Sequence, residues 1–139
     1  MASGLPAEFL AVLRALLGED HVVTGAGGRW AYGYDNSRLR HAPDAVVRPD
    51  GHHQVREVVR LCHRYRVPLT ARGAGTNTAG ATVPEAGGLV LSTERMTRME
   101  PLDADNRVLV VEPGVTNQQV QEAAGAAGFF WPPDPTSAA

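Results

Sequence analysis

The run Arg72-Gly-Ala-Gly-Thr-Asn-Thr-Ala-Gly80 carries the densest chemistry in the chain. Glycines fall at 73, 75 and 80, directly after an apolar, strand-like segment. Glycine tolerates positive φ without steric cost, so successive backbone N–H groups from Gly73, Ala74 and Gly75 can converge on one point. Such a nest suits phosphate oxygens. Thr76, Asn77 and Thr78 add side-chain donors, and Arg72 adds a fixed positive charge with a two-pronged donor. Together these groups fit a diphosphate. The spacing, Gly73-x-Gly75-x-x-x-x-Gly80, is not the dinucleotide fingerprint G-x-G-x-x-G, and no helical period follows it. On the glycines alone, a tight turn that binds nothing is the competing reading.

A second stretch, Pro132-Pro-Asp-Pro-Thr-Ser137, presents Asp134, Thr136 and Ser137 on a backbone stiffened by proline. A carboxylate and two hydroxyls held this way suit a polar ligand. A rigid surface linker is the other reading. Trp30 and Trp131 have the shape to pack on an aromatic ring system, or simply within the fold.

Other chemistries are excluded or disfavoured by residue type. All 13 basic residues are Arg and none is Lys. A Walker-type phosphate loop and a pyridoxal Schiff base both need Lys, so neither can be built here. His52 and His63 share one predicted helix but lie about three turns apart, too far to hold one ion, and we expect no metal site. The Arg56, Arg60, Arg64 and Arg66 series reads as a solvated helix face. With 15 acidic residues and a net charge of −2, the chain has no overall basic field for nucleic acid.

The elements that must position these groups follow from periodicity. Residues 6–17 read as an amphipathic helix, with Leu10, Leu13 and Leu17 on one stripe and Phe9 and Leu16 beside it. Residues 18–44 read as an irregular arm with a short strand near 21–24. From residue 45 the pattern becomes strand (45–48), helix (52–65), strand (67–71), long loop (73–88), strand (88–92). The helix should bury Val55, Val58, Val59 and Cys62, with Gly51 and Gln54 as a weak capping box. This is the grammar of a small parallel sheet. A further strand is expected at 107–112. A second helix is expected at 117–127, capped by Thr116 with Gln119, lined by Val120, Ala123, Ala124 and Ala127, and stopped by Gly128. Asp103 and Asp105 read as turn residues. No closing element follows Pro135, so the sequence reads as an incomplete domain with an edge strand and an apolar face left uncovered, which favours dimer formation.

At 14.8 kDa, 43% hydrophobic and 20% charged, the chain has the composition of a globular domain rather than a disordered one. Cys62 is the single cysteine, so no internal disulfide forms, and a reducing, cytoplasmic setting fits. No apolar run reaches transmembrane length, and the start of the chain lacks a secretory pattern.

Taken in order, Ala45-Val-Val-Arg-Pro49, the helix with Val55 and Val58, Val67-Pro68, Arg72-Gly-Ala-Gly-Thr76, Gly87-Gly-Leu-Val-Leu91, Val111-Glu-Pro-Gly-Val115 and Pro132-Pro-Asp-Pro-Thr-Ser137 resemble the start of an FAD-binding domain of the vanillyl-alcohol-oxidase or PCMH type. Tyr34-Asp-Asn-Ser37 resembles the lead-in of that family. Within it, the likeness is to FAD-linked 2-hydroxy-acid dehydrogenases, namely the glycolate oxidase large subunit and D-lactate dehydrogenases. The resemblance implies an α+β fold: a small parallel βαβ sheet of the first FAD-binding subdomain, the start of the second, and an N-terminal helix and arm (residues 1–41) before the partial domain (residues 42–139). It implies FAD, with its diphosphate at Arg72, Gly73, Ala74, Gly75, Thr76, Asn77 and Thr78 and further contacts from Asp134, Thr136 and Ser137. Some relatives attach flavin through a His in this loop. Residues 72–80 contain no His, so non-covalent FAD is expected. The Gly-Gly-Asn segment that follows the Pro-Asp-Pro turn in the family is absent, as are the domain that binds the hydroxy acid and the catalytic residues. The implied activity, oxidation of a small 2-hydroxy acid, therefore belongs to a longer protein. A non-catalytic module whose flavin site is completed by a partner chain, peripheral to a membrane or not, is the alternative.

Overall fold

A computed structural model describes residues 4–135. Thr136 and Ser137 lie outside that range. The chain divides into two compact units, residues 1–95 and 96–139.

The first unit is organised by two strands buried along their whole length. Strand β2 (Ala45–Val47) and strand β4 (Leu89–Ser92) are buried at every position. A strand that alternated would bury one face; continuous burial requires cover on both, which is the habit of parallel sheets. Strand β3 (Leu69–Arg72) and β2 both run parallel to β4, with Thr70 and Val46 each opposite Val90. Strand β1 (Val22–Val23) adds an antiparallel edge on β2. The order is β1-β2-β4-β3, so the last strand in sequence lies between two earlier ones. The parallel βαβ expectation holds, with an antiparallel edge added.

Helices α1 (Ala7–Leu17) and α3 (His52–Tyr65) pack against each other, and residues of both join one sheet face in a single core. The stripe Phe9, Leu10, Leu13 and Leu17 is buried as the spacing predicts, and Gly18 ends α1 at φ 92°. Along α3, Val58, Leu61 and Cys62 are buried and Val55 packs beside them, whereas Val59 is 47% exposed. The core-facing stripe is set by residues 55, 58, 61 and 62, which leaves Val59 on the flank. Gln54 does not cap at Gly51; its Oε1 accepts from the Asp50 N–H at 2.9 Å. Burial pushes the Cys62 thiol up to about 11.

Before β2 the arm is more ordered than its composition indicates. A 3-10 turn (Glu19–His21) precedes β1, and a short helix, α2 (Ala26–Trp30), follows it. Between β3 and β4 the chain makes the expected long loop. Its end is fixed by Gly88, whose N–H donates to Asp44 Oδ2 at 2.8 Å and whose carbonyl accepts from the Asp44 N–H at 2.7 Å. Gly88 has φ 75°, and a Cβ there would strike the carbonyl of Pro68, so glycine lets β4 start beside β3.

In the second unit, helix α4 (Asn117–Ala126) has a complete capping box. The Gln119 N–H donates to Thr116 Oγ1 and Gln119 Oε1 accepts from the Thr116 N–H. Gly128, at φ 79°, follows its end. Ala124 is buried and Val120 and Ala123 half-buried, but Ala127 is exposed. The segment expected as a strand, 107–112, is extended yet forms no regular strand. It pairs antiparallel with residues 98–103 through isolated bridges, Met99 with Val111 and Asp103 with Val108. The turn at 104–107, with Arg107 at φ 57°, joins the two paired segments. Asp103 caps that turn, accepting from the Asn106 N–H and side chain.

Candidate functional site

Parallel sheets place ligand-handling groups beyond the carboxyl ends of their strands. Here Arg72 ends β3, Ser92 ends β4 and Arg48 follows β2. They meet at Glu94. Its carboxylate accepts from Ser92 Oγ at 2.9 Å and from the Tyr32 hydroxyl at 2.9 and 3.1 Å, and lies 3.4 Å from Arg48 Nη1. Burial and the Glu94 carboxylate raise the Tyr32 hydroxyl above its usual range. The Arg72 guanidinium lies over the Tyr32 ring, 5.8 Å from its centre, a cation–π arrangement.

From Arg72 the glycine loop turns over the arm of residues 34–39. Three residues, Asn36, Arg72 and Thr82, shape it. Asn36 donates its backbone N–H to Asn77 O at 3.0 Å and its side-chain amide to Thr76 O at 3.1 Å. Arg72 Nη1 donates to Tyr34 O at 2.7 Å. Thr82 Oγ1 accepts from Asn77 Nδ2 at 3.1 Å and donates to Asp35 Oδ2 at 3.3 Å. In a trans peptide the C=O and the following N–H point in opposite directions. The carbonyls of Thr76 and Asn77 face the arm, so the N–H groups of Asn77 and Thr78 face away from it. Among the described residues, the N–H groups of residues 73–78 donate to nothing else.

Gly75 has φ 74°, and a Cβ at this position would collide with the Arg72 guanidinium. Arg72 is 8% exposed. It therefore lies beneath the loop as a charged strut, with one amino group already given to Tyr34. Gly73, Ala74, Thr76 and Thr78 are exposed, and Gly75 and Asn77 are half-buried. Residues 73–78 thus form one continuous exposed or half-buried stretch above Arg72, with the N–H groups of Asn77 and Thr78 turned outward. Asp134 belongs to the second unit and is exposed. Its segment is held to α4: Pro133 O accepts from Asn117 Nδ2 at 3.0 Å and from Gln121 Nε2 at 2.9 Å, and the Trp131 indole donates to Asn117 Oδ1 at 2.8 Å. Trp131 is thus engaged with the helix, and Trp30 is half-exposed on α2. Thr136 and Ser137 lie outside the described residues.

Sequence reasoning alone did not reach Tyr32, Asp35, Asn36, Thr82 or Glu94. Tyr34-Asp-Asn-Ser37 stood out as a lead-in, but nothing in it announces that Asn36 turns the loop's carbonyls. Asp35 is buried, and hydrogen bonds from Ser37, with a further one from Thr82, hold its carboxyl below the usual range.

An N–H surface over a fixed cation, off the end of a parallel sheet, has the chemistry to receive phosphate oxygens. The fold is shared with proteins of known structure. Solved structures of alkyldihydroxyacetonephosphate synthase (TM-score 0.88, 23% identity, 99% of this chain and 30% of the other) and p-cresol methylhydroxylase (TM-score 0.78, 24% identity, 93% and 27%) share it. The FAD binding domain family matches residues 43–139, and the chain belongs to that family. Its cofactor is FAD. Relatives include the glycolate oxidase subunit GlcD of Bacillus subtilis (38% identical, 79% of this chain and 24% of the relative) and a D-lactate dehydrogenase of Archaeoglobus fulgidus (39% identical, 76% and 25%). The chain spans about a quarter of the length of these relatives. Among the described residues no helix is long and apolar enough to cross a membrane.

Proposed function

We propose that residues 72–78 hold the FAD diphosphate of an oxidoreductase that oxidises a small 2-hydroxy acid of the glycolate or D-lactate type. The observation that carries this reading is the orientation of the loop: two carbonyls turned into the arm by Asn36, and the opposite N–H groups left outward above Arg72. The N–H groups of Asn77 and Thr78 would donate to phosphate oxygens, with the Thr76 and Thr78 hydroxyls beside them. Arg72 would offset the diphosphate charge from beneath. Asp134, Thr136 and Ser137 would add cofactor contacts. When bound, FAD accepts the hydride equivalent from the alcohol carbon. This chain binds and orients; recognition of the hydroxy acid and the proton-accepting base belong to residues beyond these 139, and the chain by itself should not turn over.

Attachment is non-covalent, because residues 72–80 offer no His, Cys or Tyr to the ring. Residues 42–139 form the partial cofactor domain in this reading, and the setting is cytoplasmic. A second reading, a module completed by a partner chain or a second copy, is favoured by an apolar groove of about 570 Å³ in the second unit, lined by Leu109, Val120, Phe129, Phe130 and Trp131.

The test is a titration of the purified chain with FAD, followed by desalting and a visible spectrum. Retained flavin bands, released intact by acid precipitation, are expected. Gly75→Ala should lower retention at least tenfold, because the left-handed backbone and the Arg72 contact both oppose a Cβ. Glycolate or D-lactate with an artificial acceptor should give no turnover. Equal retention by Gly75→Ala would remove the loop from the site. Turnover by this chain alone would show that the catalytic groups lie within it.

A further inference from the structure

Thr82 lies outside the glycine run, half-buried, in a stretch with no motif. Its hydroxyl has one proton to give and two lone pairs to fill. All three are used. Thr82 Oγ1 donates to Asp35 Oδ2 at 3.3 Å, accepts from Asn77 Nδ2 at 3.1 Å and accepts at 3.5 Å from Arg72 Nη1. These partners come from three separate segments: the arm, the loop itself and the end of β3. Asp35 in turn accepts from the Ser37 N–H at 2.8 Å, which fixes the arm that presents Asn36 to the carbonyls of Thr76 and Asn77.

We propose that Thr82 is the positioning residue of the FAD diphosphate loop. It acts through Asn77, Arg72 and Asp35 and touches no phosphate itself. The inference rests on the reading of residues 72–78 given above. The orientation of the hydroxyl follows from its partners: Asp35 is a carboxylate and can only accept, and the amide and guanidinium can only donate. A single hydroxyl thus separates a buried carboxylate from a buried guanidinium while bonding to both. It sets how far Arg72 lies from Asp35, and therefore how much of the Arg72 charge remains for an anion on the loop. It also fixes the Asn77 side chain. With Asn77 Oδ1 accepting from the Ala79 N–H at 3.1 Å, that side chain clamps the outward face of the loop at its far end.

The test compares Thr82→Val, which keeps the shape and loses the hydroxyl, with Thr82→Ser, which keeps the hydroxyl. Dissociation constants for FAD and for ADP are measured on the full chain, with the thermal unfolding midpoint as a separate readout. ADP carries the diphosphate without the flavin ring. Thr82→Val should weaken FAD and ADP by the same factor, on the order of tenfold, since three partners lose a bond at once. Thr82→Ser should restore both. Binding by Thr82→Val equal to that of the unaltered chain overturns the proposal while leaving the loop reading intact. Loss in Thr82→Ser as large as in Thr82→Val also overturns it, because the hydroxyl would then not be the acting group. If the unaltered chain binds neither FAD nor ADP, the loop reading fails and the positioning role fails with it. A fall in unfolding midpoint that adding saturating FAD fully reverses, together with unchanged ADP binding, would mark Thr82 as structural only.

Discussion

Two valine-rich segments of this chain meet opposite fates. Val46 and Val47 are fully buried, whereas Val108 and Val110 are about half exposed (48% and 52%). Both runs have strong strand preference. The first has parallel or antiparallel partners on both sides and α1 and α3 over one face. The second is paired on one side, to residues 98–103, through isolated bridges. Strand preference made both segments extended. Only the supply of neighbours made one of them core. In residues 4–95, packing holds the elements. In residues 96–135, local devices do it: the Thr116–Gln119 capping box, the Asp103 turn and Arg98, whose backbone N–H donates to Glu112 Oε2 at 2.9 Å and whose guanidinium pairs with Oε1 at 2.5 and 3.0 Å, which together hold Glu112 below its usual range.

The contrast can be broken most directly by truncating side chains. Leu13→Ala, in the first unit, should cost about 3 kcal/mol in urea unfolding. Val110→Ala should stay within about 0.5 kcal/mol. Comparable losses would mean that the second unit carries a core of its own. A smaller effect sharpens the distinction. Thr116→Ala should cost about 1 kcal/mol, and amide exchange should locate the loss in Asn117–Ala126 while α3 keeps its protection. Spread of the effect to α3 would contradict a locally held helix. The smallest effect concerns pH. Asp35 has a lowered pKa in the fold, so its contribution is fully present above the ordinary Asp value of about 3.9 and fades as pH falls through the lowered folded value. The acid limb of the thermal midpoint should therefore flatten in Asp35→Asn. An unchanged acid limb would show that other carboxylates govern it.

How legible was this molecule? Helices α1 and α3 were readable to within a residue because each carries an apolar stripe and a clear stop, Gly18 or Val67-Pro68. Strands β2 and β4 were readable as apolar runs between turn residues. The order of the strands was not, since no periodicity encodes that β4 lies between β2 and β3. Helix α2 escaped notice because Gly27 and Gly28 lower its propensity. The strand expected at 107–112 came from preference alone. In the candidate site, the glycines and Arg72 were legible by type. The groups that orient them, Asn36, Asp35 and Thr82, were not, because ordinary polar residues acquire their role through distant contacts.

The position of β4 bears on how the chain assembles. Strands β2 and β3 are not neighbours, so neither has a parallel partner without residues 89–92, which lie between them. The sheet is thus completed by its latest piece, and pairing β4 with β3 closes the loop of residues 73–88. Non-local pairing of this kind is slow to form, because the loop entropy is lost before the contacts are gained. The same loop is the proposed cradle of the diphosphate. A ligand that grips it favours the closed loop, and with it the completed sheet, by mass action.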